Sequence, residues 1–134
     1  MPAQHSAAMS VMTPTHTITA DAGRSEVHFA IGGYWDRAGM EGFLRELGEA
    51  ARPFLRAGAS FTVLGDFKDF MPQDRATADA IRDSIETGSR NGLKRFAILN
   101  AAPLVRMQYR RIAAGTEVEY FDTKVQALDW LRRA

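Results

Sequence analysis

The residues of this chain that could bind or convert a small molecule follow three of its predicted strands. They combine carboxylates, a lysine, an amide and several aromatic rings, the mixture that orients a ligand over an apolar floor. Each of them also has an ordinary alternative role as a loop cap, a turn residue or a core side chain. The eight candidates are Tyr34, Trp35, Asp66, Phe67, Lys68, Asp69, Phe70 and Asn100.

Asp66 and Asp69 allow two kinds of chemistry. Either carboxylate acting as a general base would make the protein a small-molecule hydrolase or isomerase. As metal ligands they would suit Mg²⁺ or Ca²⁺, but two acids three residues apart are too few and no third ligand accompanies them. The sequence therefore predicts no metal site and no cofactor.

The familiar catalytic signatures are missing from the sequence. The chain has no cysteine, which excludes thiolate catalysis and Cys-ligated zinc. It contains no HExxH spacing, nucleophile elbow, P-loop or GxGxxG motif, and no serine is placed to partner His28. We expect a non-enzymatic protein, with the general-base enzyme as the alternative.

An unusually apolar phrase, formed by Phe67, Phe70, Met71 and Pro72, lies between two predicted elements. Large exposed apolar patches are rare on monomers. The phrase therefore predicts one of three arrangements: packing against the second helix, the lining of a ligand groove, or the interface of a structural homodimer.

The charge balance argues against a nucleic-acid partner. With 17 basic and 16 acidic residues the net charge is +1, so no bulk field attracts polyanions. Arg106, Arg110 and Arg111 form the densest basic patch, which a solvated helix face explains. No run approaches the roughly 18 apolar residues of a membrane span, and residues 1–20 do not resemble a secretory signal. We expect a cytoplasmic protein without a transmembrane segment.

Periodicity and turn signals predict the element order β-β-α-β-α-β-α-β-α. Strands separated by helices imply right-handed crossovers, so we expect an α/β fold with a small, mixed, mainly parallel five-stranded sheet flanked by four helices. The predicted strands are 15–20, 26–31, 61–64, 94–100 and 118–121, and the predicted helices are 37–56, 74–89, one between Pro103 and Gly115, and one after Thr123.

Local signals refine these boundaries. Asp36 is a good N-cap for the first helix, Pro53 should end or kink that helix, and Thr123 opens a capping box. Residues 65–72 are predicted as a loop. Residues 1–13 are predicted as a flexible tail before a single domain at 14–134.

Three phrases of the sequence carry a resemblance: Gly-Tyr-Trp-Asp at 33–36, Gly-Asp-Phe-Lys-Asp-Phe at 65–70 and YFDTKVQALDWL at 120–131. Together with the element order they resemble the SpoIIAA-like proteins of the STAS-domain superfamily, over residues 15–134. The resemblance implies a small mixed sheet with flanking helices, and a role in binding or regulation.

The chain departs from bacterial anti-sigma-factor antagonists of that superfamily at one important place. Those proteins resemble one another through an Asp-Ser-Ser-Gly-type phosphorylation loop between a central strand and its helix. The matching stretch at 66–74 has neither serine nor threonine, and Thr77, the first hydroxyl beyond it, is expected inside the helix. The phosphorylation switch is therefore not expected here.

Ligands of open α/β sheets bind beyond the carboxyl ends of the strands. That rule gathers the eight candidate residues at one edge, which we call the strand-end rim. The sequence predicts that the strand-end rim engages a protein partner or a small amphipathic ligand.

Overall fold

A computed structural model describes residues 12–133. Its sheet has the strand order β1-β2-β3-β4-β5, with β1 antiparallel to β2 and the other neighbours parallel. This confirms the predicted mixed, mainly parallel five-stranded sheet with four helices. The elements are β1 Thr15–Asp21, β2 Glu26–Gly33, α1 Arg37–Ala57, β3 Phe61–Phe70, α2 Arg75–Arg90, β4 Leu93–Leu99, α3 Pro103–Ile112, β5 Val118–Phe121 and α4 Lys124–Arg132.

Polar side chains start three of the helices. The Asp36 carboxylate accepts a hydrogen bond from the Gly39 amide of α1 at 2.7 Å, and Asp74 does the same for Thr77 in α2 at 2.8 Å. The Thr123 hydroxyl accepts from the Gln126 amide at the start of α4. Because these bonds satisfy amides that have no partner inside the helix, they fix where each helix begins.

Helix α1 continues through Pro53 to Ala57, and its C-cap is Gly58 in the left-handed conformation, with φ 63°. Of the two effects predicted for Pro53, the helix does not end there, and its last residue lies one position beyond the predicted Arg56. Proline removes a single donor from the ladder, while Phe54, directly after it, is buried in the core. That packing holds the last turn in place.

Strand β3 is longer than predicted and includes residues 65–70, which are not a loop. Its second half pairs with β2, with Gly65 opposite Phe29 and Phe70 opposite Gly33, and the register shifts between Ala30 and Gly32. The shift places an extra residue in β3, so Lys68 and Asp69 are both exposed in succession. The polar residues that made this segment resemble a loop belong to a strand with an accessible face.

The two faces of the sheet carry different cores. The larger core joins β2, β3 and β4 to α1, α2 and α3, and includes Val27, Phe29, Met40, Phe43 and Ile98. The smaller core packs Leu64, Ala97 and Leu99 against Ala127 and Leu131 of α4. Helices therefore cover both faces, as a parallel sheet requires.

Residues 1–11 of the predicted tail lie outside the described residues. Met12 and Thr13 lie against the end of β2, where the Met12 carbonyl accepts from the Tyr34 amide at 2.9 Å. Gly33 has φ +87°, and a Cβ there would collide with the Thr13 backbone. No helix in the described part of the chain is long and apolar enough to cross a membrane.

Candidate functional site

The carboxyl ends of β2, β3 and β4 meet at one edge and bring the strand-end rim together. Asp66 lies at its centre, where one carboxylate oxygen accepts from the Lys68 amide at 3.1 Å and from the Asn100 side-chain amide at 3.3 Å. Asn100 directly follows β4 and has φ 62°, a left-handed conformation that asparagine tolerates better than most residues. Two residues 34 positions apart thus form one polar contact.

Residues at the carboxyl end of β2 contact the same edge of the sheet. Asp69 lies opposite Gly32 in the sheet register. The indole Nε1 of Trp35 donates to the Gly32 carbonyl at 2.9 Å. A Cβ at Gly32 would lie 2.8 Å from the Thr15 hydroxyl and 3.2 Å from Cβ of Asp69, so this close approach requires glycine.

Burial divides the strand-end rim into a surface and a floor. Tyr34, Lys68, Asp69 and Asn100 are exposed, and Asp66 is half-buried. The remaining three residues are core side chains: Trp35, Phe67 and Phe70.

Phe67 is fully buried, in edge-to-face contact with Phe70 at 5.2 Å and with Tyr109 of α3 at 4.9 Å between ring centroids. Phe67 and Phe70 of the apolar phrase are packed in the core, but their ring contacts with a helix are with Tyr109 of α3 and not with the predicted second helix. Pro72 of the same phrase is exposed. Burial raises the pKa of the Tyr109 phenol far above its ordinary value, so that hydroxyl stays protonated.

A buried glutamine that the sequence analysis did not single out holds the loops of the strand-end rim together. The side-chain oxygen of Gln73 accepts from the Trp35 amide at 2.8 Å, and its NH₂ group donates to the carbonyls of Gly33 and Met71. Gln73 and Gln108 of α3 also exchange a reciprocal pair of bonds, at 2.9 and 2.7 Å. No local sequence signal marks Gln73, because its partners other than Met71 are 35 to 40 residues away.

The connection at 66–74 and the start of α2 offer no accessible serine or threonine hydroxyl. Thr77 is fully buried, and its hydroxyl donates to the Trp35 carbonyl at 3.4 Å. Asp74 caps α2, and the Thr77 backbone amide, followed by the Thr77 and Tyr34 hydroxyls, lowers the pKa of its carboxyl. The connection therefore ends at the Asp74 carboxylate and not at a hydroxyl that could be phosphorylated.

An exposed apolar pair, Leu104 and Met107, lies on α3, the helix that follows Asn100 of the strand-end rim. Leu104 is 64% and Met107 52% exposed. Leu104 lies one turn before Gln108 on the same helix face, and Gln108 is bonded to Gln73. Of the apolar residues of α3, only Val105, Tyr109 and Ile112 are buried.

The carboxylates proposed as a general base occupy open positions. Asp69 is exposed, Asp66 is half-buried, and neither lines the cavities of about 570 and 360 Å³ formed by the described residues. Catalytic carboxylates usually lie in clefts that perturb their titration. Within residues 12–133, no three histidine or acidic side chains converge as a metal site would need.

Two of the three arginines in the basic patch on α3 make contacts within the protein itself. Arg106 pairs with Asp122 at 3.1 Å, and the Arg106 and Arg110 guanidinium groups lie 5.8 and 5.4 Å from the Tyr120 ring centroid. The two arginines do share one helical face. That face packs on β5, where cation–π contacts hold them.

Comparison with known proteins supports the architecture at the level of the fold. No protein-family model and no curated protein sequence matches the chain. An uncharacterised protein of the DUF3478 family from Shewanella loihica PV-4, with a SpoIIAA-like fold, superimposes with TM-score 0.63 at 21% identity, covering 89% of this chain and 95% of that one.

Two further solved structures have the same arrangement. The anti-sigma factor antagonist SpoIIAA, in its unphosphorylated form, matches with TM-score 0.63 at 18% identity, covering 90% of this chain and 98% of that one. SLC26A9 matches with TM-score 0.66 at 9% identity; 98% of this chain aligns with 26% of that much longer chain. The resemblance inferred from the three sequence phrases is confirmed in three dimensions: this chain has a SpoIIAA-like fold.

Proposed function

We propose that the chain is a non-enzymatic regulatory module that binds a protein partner through the strand-end rim and the apolar pair Leu104 and Met107. The observation that carries the proposal is that elements meeting at this edge carry both exposed charge and exposed apolar side chains. Lys68 and Asp69 are exposed side by side, and Leu104 and Met107 project from the helix bonded to the same loops. Apolar anchors bordered by polar groups are typical of protein interfaces.

The rigidity of this edge supports the same proposal. Gln73 joins the β2–α1 turn, the β3–α2 connection and α3 through five hydrogen bonds. A preorganised surface loses less conformational entropy when a partner binds. The structural neighbour SpoIIAA is itself an anti-sigma factor antagonist, a protein that acts through another protein.

The partner contacts the exposed residues of the strand-end rim, because Trp35, Phe67 and Phe70 are buried in the core. Those three side chains pack beneath the exposed residues. A Phe70→Glu variant would bury a charge and unfold the domain, so it is unsuitable for testing an interface. The cytoplasmic location expected from the sequence stays a prediction, and so does the homodimer that was one of the alternatives.

Site-specific photocrosslinking in the native host tests this proposal. A photoreactive phenylalanine analogue at Leu104 should form an adduct with one protein, while the same analogue at exposed Arg56, at the opposite end of α1, should not. The exchange Lys68→Asp with Asp69→Lys preserves composition and should reduce the Leu104 adduct at least tenfold without changing the melting temperature. Equal adducts from both positions, or an adduct indifferent to the exchange, would contradict the proposed surface.

A further inference from the structure

A cavity of about 570 Å³ lies between α1, α2 and the sheet, away from the strand-end rim. Its floor is made of core side chains of β2 and β3, among them Val27, Phe29 and Val63. The volume is within the range of natural ligand pockets, which span about 300–1,000 Å³. The space is therefore large enough for a small molecule.

Small residues on the two helices explain why the space is unfilled. On α2, the residues Ala80, Ser84 and Gly88 recur every turn along the cavity, and on α1 Gly48 and Ala51 face it. A Cβ built on Gly48 meets no atom within 4 Å. Larger side chains at these positions would occupy part of this space.

The cavity is elongated along the helices. Its α1 wall extends from Met40 to Leu55, a separation of about 22 Å at the helical rise per residue. An apolar slot of that length matches an extended aliphatic chain better than a compact ring system.

The mouth of the cavity is polar. Arg37, Glu41 and Arg45 recur at four-residue spacing on α1, and Asp83, Thr87 and Asn91 recur at the same spacing on α2. Arg37 is already engaged, with Glu41 at 3.2 Å and with the Ala76 carbonyl at 3.1 Å. Among residues 12–133, neither Arg45 nor Asp83 has an ion-pair partner.

Arg45 is the group best placed to bind a head group. Position 45 is two turns beyond Arg37, at the level of residues 83–84 of α2. A guanidinium has five donors on a long flexible stem and pairs with a carboxylate through two parallel bonds. The shorter Asp83 side chain reaches less far across the opening and disfavours a second negative charge beside it.

We propose that this cavity binds a single-chain amphiphile with an anionic head, the aliphatic chain lying between α1 and α2 and a carboxylate paired with Arg45. The site is independent of the strand-end rim. The chain lies over Phe29 and Val63, and the head stays at the solvent-accessible mouth.

Titration calorimetry with sodium laurate, below its micelle concentration, tests the proposal on the full chain. Shorter carboxylates should bind more weakly by about fourfold for each methylene removed. Gly48→Leu, which fills the mouth, should weaken laurate binding at least tenfold. Gly48→Ala raises the helix propensity of α1 as Gly48→Leu does, but its methyl group does not fill the space. It should therefore bind laurate as tightly as the unmodified protein does.

The head group is tested separately. Arg45→Ala should weaken laurate binding about tenfold, the loss expected for a charge-assisted hydrogen bond, while leaving dodecanol binding within about twofold. Asp83→Asn should strengthen laurate binding. Three results would each overturn the proposal: no laurate binding by the unmodified protein, equal binding by Gly48→Leu and Gly48→Ala, or tighter binding of dodecylamine than of laurate.

Discussion

The carboxylate of Glu26 and the guanidinium of Arg132 form a two-point ion pair, with Nε to Oε2 at 2.9 Å and Nη2 to Oε1 at 3.1 Å. The pair joins the first residue of β2 to the last residue of α4, 106 positions along the chain. Glu26 is only 2% exposed, and its Oε1 also contacts His28 Nε2 at 3.1 Å. The contact closes α4 onto the sheet at the end opposite the strand-end rim.

Arg132→Met should lower the melting temperature by more than the double change Glu26→Gln with Arg132→Met. The single change leaves a buried carboxylate without its main partner, and the double change removes that charge. Arg133→Met, which loses only the exposed pair with Asp129 at 3.6 Å, is the control and should have little effect. If Arg132→Met is as mild as Arg133→Met, the pair does not contribute to stability. Thermal unfolding of the four proteins measures this.

Glu26 should make stability depend on acid pH. Burial raises the pKa of its carboxyl, but hydrogen bonds and charge from Arg132 and His28 outweigh burial and hold the pKa below its ordinary 4.5. A lowered pKa contributes stability above the ordinary value, and that contribution is lost as the pH falls through the lowered one. Denaturant unfolding at about pH 6 and about pH 3.5 should show a smaller difference for Glu26→Gln than for the unmodified protein. Parallel pH profiles would contradict this.

Gly65→Ala should destabilise the domain by about 1–3 kcal/mol, the usual cost of overpacking a core. A Cβ at Gly65 would lie 2.5 Å from Cζ of Phe29 and 2.7 Å from Cε1 of Phe67, both of them buried rings. Gly48→Ala, where the same methyl group meets nothing within 4 Å, should instead stabilise α1 by up to about 1 kcal/mol. Chemical denaturation gives both values, and a neutral Gly65→Ala would show that the rings can move apart.

Gln73→Ala should cost about 1–3 kcal/mol, because the buried Trp35 amide loses its acceptor. Hydrogen exchange at that amide should accelerate more than exchange in the middle of β4. Gln126→Ala is the matched control, since its side chain is exposed on α4, and it should change stability by less than about 0.5 kcal/mol. Unchanged exchange at Trp35 would indicate that water replaces the glutamine.

The element order followed from the sequence because each helix and strand is encoded locally. The apolar spacing of α1, the caps Asp36 and Thr123 and the proline at the start of α3 act within a few residues. The extent of β3 could not be predicted in this way. Its polar second half is a strand because β2 offers it backbone partners from Phe29 to Gly33.

Leu104 and Met107 show a second limit of local reasoning. Their spacing in α3 does not reveal which apolar residues face the core, since Val105, Tyr109 and Ile112 recur at similar intervals. Contact of Tyr109 with Phe67 settles the orientation of the helix. The sequence analysis predicted that Asp66 and Asn100 lie at the same edge of the sheet, and they do, because parallel strands end at the same edge.

The sequence alone determined the fold class, the caps and the edge at which the charged residues gather, because short-range hydrogen bonding and apolar periodicity dictate them. Tertiary structure decided which rim residues are surface and which are core, and it created the Gln73 contacts, the Glu26–Arg132 pair and the cavity beside Gly48. Those features depend on atoms far apart in the chain. Their energies arise only once the sheet has assembled and the helices have packed on it.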